Sequence, residues 1–216
     1  MTGPGPASTE TGPRTGIAVL GGSFNPPHRS HVRLVREALA SLPIGEVRVI
    51  PAGNHAHKQH RDMAPAEDRL AMCRLCFADL PGVVVDDREL RRAGPSFTVD
   101  TLAELAAEQP GQALFFLIGS DNLPLLPTWR EHHRLLRLAT VVTFPRLGHP
   151  IVPAQLEGLD LNPEERRMLL AHVLTMPADG TAASTLRDRW RHGERHLPEL
   201  PGPVARYLTD HQIYGP

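Results

Sequence analysis

The stretch Gly21-Gly-Ser-Phe-Asn-Pro-Pro-His28-Arg-Ser-His31 packs several residue types suited to phosphate chemistry into one short segment. Glycines let a backbone approach a ligand closely, and the first amides of a helix attract anions. His28 and His31 are three apart, so on a helix they share one face of the first turn. Two imidazoles beside exposed amides suit binding phosphate oxygens and stabilising charge on a transferring phosphoryl group. The bland alternative is a glycine-rich turn carrying two solvated histidines. Two glycines, paired prolines and HxxH in a single turn outweigh it. No GKS or GKT follows, which excludes a Walker P-loop, and the spacing does not fit GxGxxG.

The elements that must position this segment follow from hydrophobic patterning. Residues 17–20 (IAVL) form a wholly apolar run ending in Gly21-Gly22, as a central parallel strand does. Val32, Val35, Leu39 and Leu42 mark one face of a helix over 28–42. A second strand is predicted at 46–50 (EVRVI), then a polar, His-rich loop over 54–65. Helices are predicted over 66–80, over 97–107 with Ser96 as its cap, and near 129–138. Strands are predicted at 83–85, 113–118 (ALFFLI) and 140–144 (TVVTF). The region after residue 145 is less regular, with a helix near 163–172, a strand-like 173–176, and helices near Leu186 and Pro203. This alternation predicts an α/β fold with a doubly wound parallel sheet and a small helical C-terminal part. Ligands then collect beyond the carboxyl ends of the strands, where the strand order reverses. Gly119 and Asp121, at the end of the most apolar strand, fall on that edge; for Asp121 a capping or turn role is the alternative.

Composition bounds the rest. The chain has 216 residues, enough for one α/β domain, and no linker divides it. Residues 1–15 are rich in Gly, Pro, Ser and Thr and are expected to be a disordered leader to a single domain over 16–216. Lys plus Arg total 23 against 24 Asp plus Glu, giving a formal net charge of −1 and no general case for nucleic acid or an anionic membrane. No apolar run reaches the length of a membrane span and no signal-peptide core is present, so a cytoplasmic protein is expected. Cys73 and Cys76, mid-helix, read as buried reduced thiols rather than a redox pair.

Taken together, GGSFNPPHRSH, VIPAGNHAHK, ELRRAGPSFTVDTL and FLIGSDNLPLLPTW resemble the bacterial nicotinate-nucleotide adenylyltransferases, within the HxGH-type nucleotidyltransferase superfamily. The resemblance is good from about residue 16 to 146 and patchy beyond. It implies a Rossmann-like nucleotidyltransferase fold and the joining of nicotinate mononucleotide to ATP, with Mg²⁺ and release of pyrophosphate. The mononucleotide phosphate would attack the α-phosphorus in line, with no serine or cysteine nucleophile. A related transferase using nicotinamide mononucleotide, phosphopantetheine or a specialised pyridine nucleotide is one alternative; a non-catalytic nucleotide-binding module is the other.

Carried onto this chain, the resemblance makes His28, His31, Lys58 and Arg187 the catalytic candidates. Gly21, Gly22, Ser23, Phe24, Gly119, Asp121 and Ser184 join His28, His31 and Arg187 on the ATP side. Asp121 would hold the ribose hydroxyls, and Arg187 with Ser184 the outer phosphates. Asn25, Lys58, Thr98, Trp129 and Arg130 fall on the mononucleotide side, where the Trp129 indole would stack on the pyridine ring. Lys58 lies in a loop carrying His55, His57 and His60, for which transition-metal binding is an alternative to a solvated basic loop; no resident metal site is expected. The chain also departs from the family pattern. Ser30 replaces the glycine of HxGH, His55 and Ala56 replace two prolines, Ala182 and Ala183 replace two serines, and Arg130 brings a charge beside Trp129. The partners expected are ATP and a pyridine mononucleotide, with a homo-oligomer possible.

Overall fold

The computed structural model describes residues 16–53 and 62–215. Five strands form one parallel sheet in the order β3-β2-β1-β4-β5. They are β1 (Gly16–Gly22), β2 (Ile44–Pro51), β3 (Val83–Val85), β4 (Leu114–Gly119) and β5 (Thr140–Phe144). The period of two in β1 and β4 explains the layering. Ala18, Leu20, Phe115 and Leu117 face one core, while Ile17, Val19, Phe116 and Ile118 face the other. Both faces are therefore covered, as the near-continuous apolar strands require.

The first core is roofed by α1 (Arg29–Ser41), α2 (Ala66–Phe77), α7 (Ala183–Arg191) and α8 (Gly202–Asp210). α1 turns Leu34, Val35 and Ala38 onto the sheet, and α7 contributes Leu186 and Trp190. The second core is covered by α4 (Thr98–Glu108), α5 (His132–Leu138) and α6 (Pro163–Ala171), with 3₁₀ turns at Leu123–Thr128 and Pro153–Leu156. Cys73 and Cys76 are buried and unpaired on α2; burial raises both thiols, that of Cys76 to about 12, which keeps them protonated.

Several details differ from expectation. The helix expected from 129 begins only at His132, because Glu131 takes a left-handed conformation (φ 50°) after a 3₁₀ turn that already contains two prolines. The strand-like 173–176 reduces to one bridge, Val173 beside Thr143 at the sheet edge. Ser96 does not cap α4: its hydroxyl donates to the Glu89 carbonyl (3.4 Å), and Phe97 is the N-cap residue without a side-chain bond. A short helix, α3 (Arg88–Arg91), was not anticipated. The leader over 1–15 lies outside the described residues. Among the described residues no helix is long and apolar enough to cross a membrane.

Candidate active site

The order reverses between β1 and β4, which leave the sheet side by side and send their chains to opposite faces. This is the crevice where open α/β sheets bind ligands. Gly21-Gly22-Ser23 leaves β1 on one side of it; Gly119-Ser120-Asp121 leaves β4 on the other. At Gly119 a Cβ would lie 2.3 Å from Asp121 Oδ1 and 3.1 Å from Arg146 Cγ, so any larger residue would push both side chains aside.

After β1 the chain bends through Phe24, held at φ 45°, into α1. The Phe24 ring is 2% exposed and packs against His31 (centroids 5.0 Å apart) and Phe77 (6.3 Å). Its side chain belongs to the core rather than to the crevice. Asn25 is also buried. Its Oδ1 accepts from the Ala64 amide (2.9 Å) and the Tyr214 hydroxyl (2.6 Å), and its Nδ2 donates to the Asp62 carbonyl (2.9 Å). Three of its four side-chain hydrogen bonds are thus internal.

His28 is the N-cap residue of α1, and the two imidazoles pack together, tilted by 37° with centroids 3.9 Å apart. The amides expected to cradle phosphate are partly taken. That of His28 donates to His31 Nδ1 (3.1 Å), and that of Arg29 to the Glu199 carbonyl (2.8 Å). A backbone amide can only donate, so His31 Nδ1 is unprotonated and its neutral ring carries the proton on Nε2. Burial, then the Arg146 guanidinium, lowers the His28 pKa to about 4. Burial, then His28 and Arg146, holds His31 well below its usual value. His28 Nδ1 is buried without a partner among the described residues, a polar atom left for a ligand.

Arg146 was not foreseen. It follows β5 by two residues, its amide donates to Ser120 Oγ (2.9 Å), and Nη2 donates to the Thr181 carbonyl (3.2 Å). Its Nε lies 4.0 Å from Asp121 Oδ1. A basic residue just past a strand's carboxyl end was the available signal. Arg187 reaches back from α7 and donates to the Asn25 carbonyl (2.8 Å), with its Nε buried and unpartnered among the described residues. Ala182 is the N-cap of α7 and provides no side-chain bond, so the helix starts with no side-chain cap, and Ser184 sits exposed in its first turn. A helix start of this kind favours anions.

Farther along the edge, Thr98 opens α4 and Trp129 ends the 3₁₀ turn with its indole edge-on to Phe116 (5.9 Å), leaving it half-buried. The Arg130 guanidinium lies 4.6 Å over the Phe97 ring, near Asp100 (3.9 Å) and Glu131 (3.6 Å). Its charge is therefore partly balanced within the chain. Lys58, with His55, His57 and His60, lies outside the described residues.

One group among the described residues has the makings of a metal site, formed by His132, His133 and Asp160. Its imidazoles are engaged in the chain: His132 Nε2 pairs with the Asp160 carbonyl (2.8 Å) and His133 Nδ1 with Glu165 (2.8 Å).

A five-stranded parallel sheet, with two packed imidazoles and two guanidiniums near its switch point, has the architecture of the Rossmann-like nucleotidyltransferases. The cytidylyltransferase-like family matches residues 19–183. A protein of Albidiferax ferrireducens named "Probable nicotinate-nucleotide adenylyltransferase" is 40% identical over 92% of this chain and 97% of its own. A protein of the same name from Symbiobacterium thermophilum is 36% identical over 92% of this chain and 94% of its own. The structure also resembles Plasmodium falciparum nicotinic acid mononucleotide adenylyltransferase complexed with NaAD. There the TM-score is 0.74 at 16% identity, covering 93% of this chain and 97% of that one, a likeness of fold. The chain belongs to the nicotinate-nucleotide adenylyltransferase family of nucleotidyltransferases.

Proposed function

We propose that this chain transfers AMP from ATP to nicotinate mononucleotide, yielding nicotinate adenine dinucleotide and pyrophosphate. A phosphate oxygen of the mononucleotide forms a bond to the α-phosphorus while the bond to the departing pyrophosphate breaks. The observation that carries the reading is the gathering of His28, His31, Arg146 and Arg187 at the switch point of a family member's sheet. The neutral imidazoles offer directed N–H donors. The guanidiniums supply the positive charge, strongest where water is excluded.

Asp121 is assigned to the ribose and the α7 start with Ser184 to the outer phosphates. Thr98 and Trp129 are assigned to the pyridine, with Arg130 beside them on its Phe97 platform. ATP enters as its Mg²⁺ complex. The described groups around the crevice are mostly N–H donors and cations, which fit phosphate rather than metal, so the substrate phosphates would hold the ion and it would offset their charge. Lys58 completes the assignment as a movable charge.

Pyrophosphate release with MgATP, comparing nicotinate mononucleotide, nicotinamide mononucleotide and phosphopantetheine, tests the reading. Turnover with the nicotinate compound, at a kcat/KM at least tenfold above the other two, is expected. Preference for another acceptor would overturn the substrate assignment. Silence with all three, alongside ATP-dependent thermal stabilisation, would make the protein a binding module.

A further inference from the structure

The loop after β1 is held in place from an unexpected direction. At Asn25 three distant segments converge: residues 62–64, α7 and the turn that follows α8. The Asn25 backbone carbonyl accepts from Arg187 Nη1 (2.8 Å), and its side-chain oxygen accepts from the Ala64 amide and the Tyr214 hydroxyl. With both acceptor positions of Oδ1 filled and Nδ2 on the Asp62 carbonyl, the amide has one orientation. Tyr214 also places its ring 6.0 Å from the Arg187 guanidinium. It does so from a left-handed backbone (φ 68°), a conformation unfavourable for a bulky residue that persists only where surroundings enforce it. α8 anchors this turn on α2, through the Tyr207 hydroxyl on Asp68 (2.8 Å).

We propose that Tyr214 is a positioning residue for the phosphate site, its hydroxyl fixing Asn25 and its ring backing Arg187. Arg187 Nε is buried without a partner among the described residues, so the bond to the Asn25 carbonyl, with the Tyr214 ring 6.0 Å behind, aims this guanidinium. The turn after α8 thereby sets the spacing between the loop after β1 and α7, the two elements assigned to the ATP phosphates. The inference rests on that assignment, and it concerns ATP rather than the acceptor.

Tyr214→Phe removes the hydroxyl and keeps the ring, so it separates positioning from packing. ATP affinity measured by calorimetry on the full chain should fall about three- to tenfold, the range expected for one lost hydrogen bond. The KM for the mononucleotide should stay within about twofold, a split that general destabilisation does not produce. Tyr214→Ala, which also removes the ring, should weaken ATP further. Unchanged ATP affinity in Tyr214→Phe overturns the proposal, whether or not the melting temperature falls, since Tyr214 would then be packing alone. Should the wild type bind ATP but leave nicotinate mononucleotide unreacted, the acceptor assignment fails while the ATP comparison still decides the role of Tyr214. A wild type that does not bind ATP overturns both.

Discussion

At His31, acceptance of the His28 amide by Nδ1 leaves the ring proton on Nε2, and burial keeps the ring from gaining a second one. The same holds for His28, whose pKa lies at about 4. The pair therefore donates directed hydrogen bonds at neutral pH while Arg146 and Arg187 provide charge. Donors of this kind are most useful where charge develops in the transition state. His31→Ala should accordingly lower kcat about 10²–10³-fold and leave the KM for ATP within about threefold. Steady-state kinetics decides it: equal losses in both parameters would sink the role. The depressed His28 pKa also makes a stability prediction. The unfolded chain takes up the proton first as pH falls through about 6.5, so stability is lost between there and about 4. His28 is 3% exposed, and the full loss attributable to it is about 3 kcal/mol. Urea unfolding at pH 7.5 and 5 should show a smaller acid loss in His28→Gln than in the wild type. An identical pH slope in the two proteins would mean that other groups carry it. Gly119→Ala belongs here too: its Cβ would displace Asp121, so the KM for ATP should rise at least fivefold with little change for the mononucleotide.

Elements differ in how far sequence reveals them. The five strands and α1, α2 and α4 were legible because apolar periodicity reports burial directly, and Ala18/Leu20 against Ile17/Val19 shows that period at work. The loop from Gly21 to His31 was legible because its residue types are rare together. What stayed hidden depends on distant contacts. α3 is a single turn pinned by Arg88 on Asp86 (2.8 Å) and Glu108 (2.8 Å), partners that local sequence does not identify. Ser96 looked like a cap until the Glu89 carbonyl, seven residues away, took its hydroxyl. Arg146 gains its meaning from histidines more than a hundred residues earlier, and Phe24 and Asn25 were assigned to substrates although their side chains serve the fold. α6 is the opposite case, where a local rule is written out in full. Asn162 Oδ1 accepts from the Glu165 amide (2.9 Å), and Glu165 Oε2 accepts from the Asn162 amide (2.8 Å). Asn162→Ala should cost about 1 kcal/mol, lowering the melting temperature about 2–4 °C without changing kcat. A calorimetric scan checks the first, and a change in kcat would mean that α6 reaches the site.

For the whole molecule, the site draws on groups from both sides of the sheet. Arg146 links segments from both sides. From the end of β5 it is tied to Ser120 after β4 (2.9 Å) and to Thr181 before α7 (3.2 Å), and it stands close enough to His28 and His31 to lower both. A ligand gripped by the same groups would connect both layers and stabilise the fold as a unit. At a hundredfold excess over its dissociation constant, ATP should add about 2.7 kcal/mol, or about 5–10 °C in melting temperature for a domain of this size. Arg146→Ala removes the side-chain bond to Thr181 and the charge while leaving the backbone bond to Ser120 intact, so the apo protein should melt within about 3 °C of the wild type. Its ATP-induced shift should shrink by more than half at the same ATP concentration. A full shift would place the phosphates away from β5, and the nucleotide would then have to be held by α1 and α7 alone. A lost shift with an unchanged apo melting point would mean that the Arg146 side chain acts chiefly through the ligand rather than through its bond to Thr181.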